Sequence, residues 1–272
     1  MIDTLLRPVW KTAAMEAASV IGESALYLVQ FVFRFLRVVM LLAVWGSLLG
    51  APDAARAGAS AAMPSITLGA LLSYTLIAEV FADQLTPNTE IEWSLHDGGI
   101  ATRFLQPLSL VGQFSAQMAG RWVFGFCLFS LPLLLCSPLL GVDPLPASGA
   151  AAVLFLLSLL LTVVVGVAFD FIFAALLTYV EGSAYIISRV RHALAVLLSG
   201  SVIPLALMPW GLGDVLQWSP FASLASAPLR IYTGTGEPLL LIALQLFWSV
   251  ALWALANWLW RRSRERLSSY GG

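Results

Sequence analysis

Asp170 is the single charged side chain between Ala150 and Tyr179, and the rest of that run is overwhelmingly apolar. A run of this length exceeds the roughly 20 residues that a helix needs to cross a bilayer core. A polypeptide in lipid must satisfy its backbone hydrogen bonds internally, so such a run folds as a membrane-spanning helix. Five further runs of comparable character give six spans, near Tyr27–Gly50, Ile66–Leu85, Phe114–Leu140, Ala150–Tyr179, Ala193–Met208 and Leu239–Trp260. The expected fold class is all-α integral membrane, with six transmembrane helices in residues 26–272. Composition agrees: 60% of residues are hydrophobic and 11% charged, whereas soluble domains carry about 25% charged residues.

Several function classes fall away. The net charge of −1 provides no large basic surface for nucleic acid. Cys127 and Cys136 lie in one apolar run and read as packing residues rather than a disulfide or metal site. The one lysine, Lys11, follows Trp10, so the Gly-Lys pair of a phosphate-binding loop is absent. If ATP drives this chain, a partner supplies the ATPase. No His-Glu-x-x-His zinc motif occurs. His96 and Asp97 are neighbours that would point to different faces of a helix, a poor acid–base dyad, so no catalytic residue is assigned.

Residues 1–25 do not form a signal peptide, because Asp3, Glu16 and Glu23 interrupt any apolar core. Ile2, Leu6, Val9, Trp10, Ala13, Ala17, Val20 and Ile21 fall on one helical face, which predicts an amphipathic helix in the membrane interface. A helix packed on a protein surface is the alternative. Residues 209–238 mix Pro209, Gly211, Gly213, Pro220, Pro228, Gly234 and Gly236 with Trp210, Val215, Trp218 and Phe221. That mixture predicts short re-entrant helices dipping partly into the bilayer. With the N-terminus inside, twelve of the 14 Lys and Arg residues fall on the inner side, leaving Arg56 and Arg230 outside. The positive-inside rule then makes both termini and the 87–109 segment cytoplasmic, and the 209–238 segment external.

The segment Pro87–Ser109 is polar and lies between two apolar runs. Thr89-x-x-Glu92 has capping-box spacing, and Gly98-Gly99 ends a helix cheaply. The pattern predicts a helix near Glu90–Asp97, a glycine break and a second piece, Ile100–Leu105, stopped before Pro107. Ile91, Trp93 and Leu95 are costly to expose, so they are expected to bury into a partner or the membrane surface.

Charges inside the spans form a second candidate element. Arg34, Arg37, Glu79, Asp83, Arg121 and Asp170 lie at similar depth toward the inner side. Each costs roughly 2.5–3.5 kcal/mol at the bilayer centre, which predicts a paired intramembrane charge layer. Snorkelling to the headgroups is the alternative. In the fifth span, Ser199-Gly200 permits close helix approach and Pro204 frees a carbonyl.

The run I-E-W-S-L-H-D-G-G-I-A-T-R-F-L-Q-P-L-S resembles the cytoplasmic segment of permease subunits of type-2 ATP-binding-cassette (ABC) transporters. Three further stretches share that resemblance: Leu198 to Trp210, Ser219 to Gly234, and the closing Tyr270-Gly271-Gly272. Gln106 departs from the pattern, which often has a basic residue before the proline. The resemblance implies a multi-pass permease in the bacterial inner (cytoplasmic) membrane. It implies a coupling helix that docks on the ATPase through Glu90, Ile91, Trp93, Leu95, Asp97, Gly98 and Arg103. It further implies two ABC ATPase subunits that bind ATP and Mg, no cofactor in this chain, and a second permease, either the same chain or a paralogue. Ser199, Gly200, Val202, Ile203 and Pro204 would line the translocation path. Export of an amphipathic or hydrophobic cargo is expected. The rivals are a stand-alone secondary transporter and an intramembrane enzyme.

Overall fold

A computed structural model of the chain describes residues 11–12, 14–15, 24–49, 67–179 and 184–270. Lys11, Thr12, Ala14 and Met15 are helical. The rest of the helix expected over residues 1–25, the loop with Pro52, Asp53 and Arg56, and the closing Gly271-Gly272 lie outside the described residues. All regular secondary structure among the described residues is helical.

The order is α1 Ser24–Leu49, α2 Leu68–Val80, α3 Ala82–Leu85, α4 Ile91–His96, α5 Ile100–Arg103 and α6 Leu110–Leu140. Then follow α7 Gly149–Leu177, α8 Ala184–Leu198, α9 Leu212–Leu216, α10 Ser226–Tyr232 and α11 Pro238–Tyr270. Among the described residues, three helices are long and apolar enough to cross a membrane: α6, α7 and α11 through Ser263. The α2–α3 unit and α8 depart from simple spans for local reasons. Phe81 separates α2 from α3, and α8 carries Arg189 and Arg191 on an amphipathic helix.

Caps explain where the long helices begin. Ser109 accepts from the Gly112 N–H at the start of α6, and Ser148 accepts from the Ala151 N–H at the start of α7. Thr67 does the same for α2 through the Ala70 N–H. Within α6, Phe126–Ser130 is a π-helical turn, where Ser130 Oγ donates to the carbonyl of Val80. Cys127 on this turn is exposed and Cys136 is half-buried, so only the latter has a packing role.

Helix α7 is the hub. It packs along α11 and also meets α3, α4, α8 and α10. Val165, Ala168, Ala174 and Ala175 are fully buried, and these small residues let the neighbouring helices approach closely. The opposite face, with Val153, Leu156 and Leu160, is exposed as a lipid-facing surface should be.

One expectation needs correction. The fifth span, expected at Ala193–Met208, is instead a helix over Ala184–Leu198 that stops at Ser199-Gly200. Gly200 takes φ +81, a left-handed conformation that ends a helix. Pro204, which lacks an N–H, then leads into a single 3-10 turn, Leu205–Leu207. The 209–238 segment forms short helices, as its composition predicts, and part of it packs inside the bundle. Ala222 through Leu229 are buried in the bundle, and α10 packs on α2, α7 and α11. The α9 portion is outward, with Trp210, Val215 and Trp218 exposed.

Candidate coupling site at the Pro87–Ser109 segment

Four consecutive residues, Pro87 to Glu90, are each tied to the helix bundle. Pro87 is buried against Gly166 of α7, where a Cβ would lie 2.6 Å from the proline ring. Its carbonyl accepts from Arg191 Nη1 at 3.0 Å. The Asn88 carbonyl accepts from Arg121 Nη2 at 3.0 Å. The Thr89 N–H donates to Asp170 Oδ2 at 2.5 Å. The Glu90 carboxylate pairs with Arg121 Nη1 at 3.2 Å. Helices α6, α7 and α8 therefore all hold this short stretch.

The centre of the arrangement is the ion pair between Asp170 and Arg191, whose side chains are 0% and 9% exposed. A charge pair this deep requires further hydrogen bonds to offset its desolvation. The Thr89 N–H and the Pro87 carbonyl supply them. Asp170 was expected to pair within the layer of Arg34, Arg37 and Arg121. It pairs with Arg191, which the distribution of arginines had grouped with the ordinary inner-side cations.

The expected capping box does not form. The N–H of Thr89 is taken by Asp170, and Glu90 adopts φ +59 with no side-chain cap, so the helix begins at Ile91. Glu92 is buried, and its Oε1 has no hydrogen-bond partner among the described residues. The glycine punctuation appears where expected: α4 ends before Gly98 at φ +72, and α5 runs Ile100–Arg103.

The apolar residues of α4 divide in two. Ile91 is fully buried in this chain's own core, together with Ile100, and Leu95 packs partly against the same cluster. The expectation that Ile91 serves a partner or membrane surface is corrected, because it is the internal anchor of the segment. Trp93 is 38% exposed, Phe104 48% and Leu105 86%, and these face outward. Asp97 and His96 are exposed at the end of α4. Arg103 turns back onto the bundle, bonding Gln117 Oε1 at 2.9 Å and stacking over Phe114 at 4.3 Å. Buried Gln113 closes the return by donating to the carbonyls of Arg103 and Leu108.

The remaining intramembrane charges form two pairs between α1 and the α2–α3 unit. Arg34 bonds Asp83 and lies over the Phe129 ring at 5.1 Å, and Arg37 bonds Glu79. Arg121 reaches Glu90 rather than another member of the set. A cavity of about 210 Å³ separates the Arg34–Asp83 pair from the Arg121–Glu90 pair.

Ser199, Gly200 and Pro204 are buried at the break after α8, Val202 is half-buried, and Ile203 is 47% exposed. The break is stitched to two elements. The Gly200 carbonyl accepts from Tyr74 Oη at 2.7 Å, and the Ser199 carbonyl accepts from the Ser226 N–H at 2.9 Å. Pro204, Tyr74, Ser226 and Arg230 border a cavity of about 60 Å³.

A buried polar knot went unrecognised in the sequence. Gln245 of α11 is fully buried and donates to the carbonyls of Ser158 and Ser223 and to Thr162 Oγ1. Ser158 Oγ completes it by donating to Gln245 Oε1 at 2.7 Å. The signal was the coincidence of Ser158, Thr162 and Gln245 inside otherwise apolar runs. Such polar residues in lipid need partners.

Long apolar helices with internally satisfied polar groups, and an anchored segment between two of them, define an integral membrane protein of helical-bundle type. The family model for ABC-2 family transporter protein matches residues 65–271, and the chain belongs to that family. Membership makes it the membrane-spanning permease component of an ABC transporter and implies association with an ABC ATPase. No curated protein and no solved structure gives a significant match.

Proposed function

We propose that the chain is the permease subunit of a bacterial inner-membrane exporter. In this reading it is a six-span subunit whose Pro87–Ser109 segment docks on a separate ATPase. Two ATPase copies bind ATP and Mg. A second permease, either the same chain or a paralogue, completes the translocation path. Residues 1–25 lie as an amphipathic helix in the interface, and both termini are cytoplasmic, as twelve of the 14 Lys and Arg residues favour.

One observation carries this reading: Pro87–Glu90 is gripped by α6, α7 and α8, while Trp93 and Leu105 remain exposed. A push on the outward residues is delivered to three helices through short polar contacts rather than absorbed by a flexible loop. An ATPase that binds one conformation better then shifts the permease between states by that difference in affinity. Trp93, Leu95, Asp97 and Gly98 form the docking surface, and Glu90, Ile91 and Arg103 hold it in place. The stitched break at Ser199, Gly200, Val202, Ile203 and Pro204 borders the path. The Arg34–Asp83 and Arg37–Glu79 pairs keep α1 registered on α2 as the bundle moves. The exposed Trp210, Val215 and Trp218 support an amphipathic cargo.

The test is co-purification of the tagged chain with its ATPase, followed by ATPase stimulation across amphipathic compounds. Trp93→Ser should leave the chain folded and abolish stimulation. Ile91→Ser should instead lower stability. Full stimulation in Trp93→Ser, or cargo movement by the purified chain without any ATPase, overturns the reading.

A further inference from the structure

A second cavity at the Pro87–Ser109 end of the bundle adjoins the contacts described above. It measures about 350 Å³ and opens between the tail of the segment, the start of α6, and α11. Its walls are aromatic: Phe171, Trp253 and Trp260 line it. Both indoles are fixed, because Trp253 Nε1 donates to the Val164 carbonyl at 3.1 Å and Trp260 Nε1 donates to the Phe171 carbonyl at 2.8 Å. The rim is cationic. Arg261 and Arg103 both line the cavity, Arg103 while also bonding Gln117 and lying over Phe114.

The position adds a second constraint. The apolar run of α11 gives way after Trp260 to Arg261, Arg262, Arg264 and Arg266, so Arg261 is the first charged residue at the hydrocarbon edge. Going back along α11, Asn257, Trp253, Val250 and Leu246 succeed one another at helical spacing on the same stripe. Val250 is 73% exposed and Leu246 51%, so the stripe leads from the cavity as an open apolar track.

We infer that this cavity binds an anionic phospholipid. The phosphate sits between the Arg103 and Arg261 guanidiniums, and the acyl chains run past Trp253 along Val250 and Leu246. A cationic pocket between helices at the interface has the chemistry that selects anionic headgroups, and guanidinium is suited to bidentate phosphate contacts. A headgroup there touches both the return of the Pro87–Ser109 segment and the last helix. It would therefore hold that segment to α11. The leaflet that supplies the lipid rests on the orientation proposed above. The binding itself does not require the ATPase.

The experiment is native mass spectrometry of the full chain in detergent with phosphatidylglycerol, with phosphatidylcholine of the same acyl chains, and with soluble glycerol phosphate. Phosphatidylglycerol should be retained in preference to phosphatidylcholine. Arg261→Gln, at an exposed site that spares the fold, should weaken its retention about five-fold. Arg262→Gln, whose guanidinium stacks on Trp258 and does not line the cavity, should leave retention unchanged. Equal retention of the two lipids, parental retention in Arg261→Gln, or equally strong binding of glycerol phosphate overturns the inference. None of these outcomes depends on ATPase coupling, so the result is separable from the proposed function.

Discussion

Removing one charge from the Asp170–Arg191 pair should cost far more than removing both. The two side chains are 0% and 9% exposed, so neither survivor can recover water. Breaking a buried pair from one side typically costs about 3–5 kcal/mol, because an uncompensated charge remains. Asp170→Asn keeps a carbonyl oxygen that can still accept from the Thr89 N–H, so its cost is mainly electrostatic. Arg191→Met strands the Asp170 carboxylate and also removes the donor to the Pro87 carbonyl. In the double variant neither charge of the pair is left, and the main remaining loss is that of the Pro87 hydrogen bond, about 1–3 kcal/mol. The singles should therefore sum to at least about 6 kcal/mol, and the double should fall short of that sum by about 3 kcal/mol. The four proteins can be compared by equilibrium unfolding in mixed micelles with intrinsic fluorescence, for which the chain supplies 10 tryptophans. If the two single losses add to within about 0.5 kcal/mol of the double, the side chains are energetically independent. The polar centre proposed for the segment's anchorage would then be refuted.

Three further outcomes are expected. Gly166→Ala drives a methyl to within 3.0 Å of three Pro87 ring atoms, an overpacking worth about 1–3 kcal/mol in the same unfolding assay, and parental stability would deny the close approach. Arg37→Glu should abolish ATPase stimulation and Glu79→Arg should restore it in the double variant; if no reversal at Glu79, Asp83 or Asp170 rescues, pairing is not the role of this charge. Gln245→Leu should cost about 1–3 kcal/mol for each polar group it orphans, measured as a lower unfolding midpoint, and an unchanged midpoint would show that Ser158, Thr162 and Ser223 find other partners.

What the sequence made legible was longitudinal. Hydropathy marks where a chain enters and leaves lipid, so it gives each residue a depth and says little about direction around the helix axis. Depth sufficed for Arg34, Arg37, Glu79 and Asp83, because two neighbouring helices leave few choices of partner at one level. It failed for Asp170, whose partner lies on α8, a helix that is already formed at Ala184, ahead of the expected start at Ala193. That shift made Arg191 look like a loop cation rather than a buried one. The capping box failed for a related reason. Its spacing was read locally, whereas the Thr89 N–H is claimed from a residue 81 positions away. The Gly98 signal survived because glycine takes positive φ at little cost, whereas Gly200, read as a close-approach residue within a span, instead ends α8 at positive φ. The same distinction bears on function. Trp93 and Ile91 are indistinguishable as apolar residues in a polar segment, yet one faces outward and the other fills the core beneath it. A docking surface needs both, an outward contact and an inward root. Only the packing of α4 against α7 and α8 assigns each residue its part.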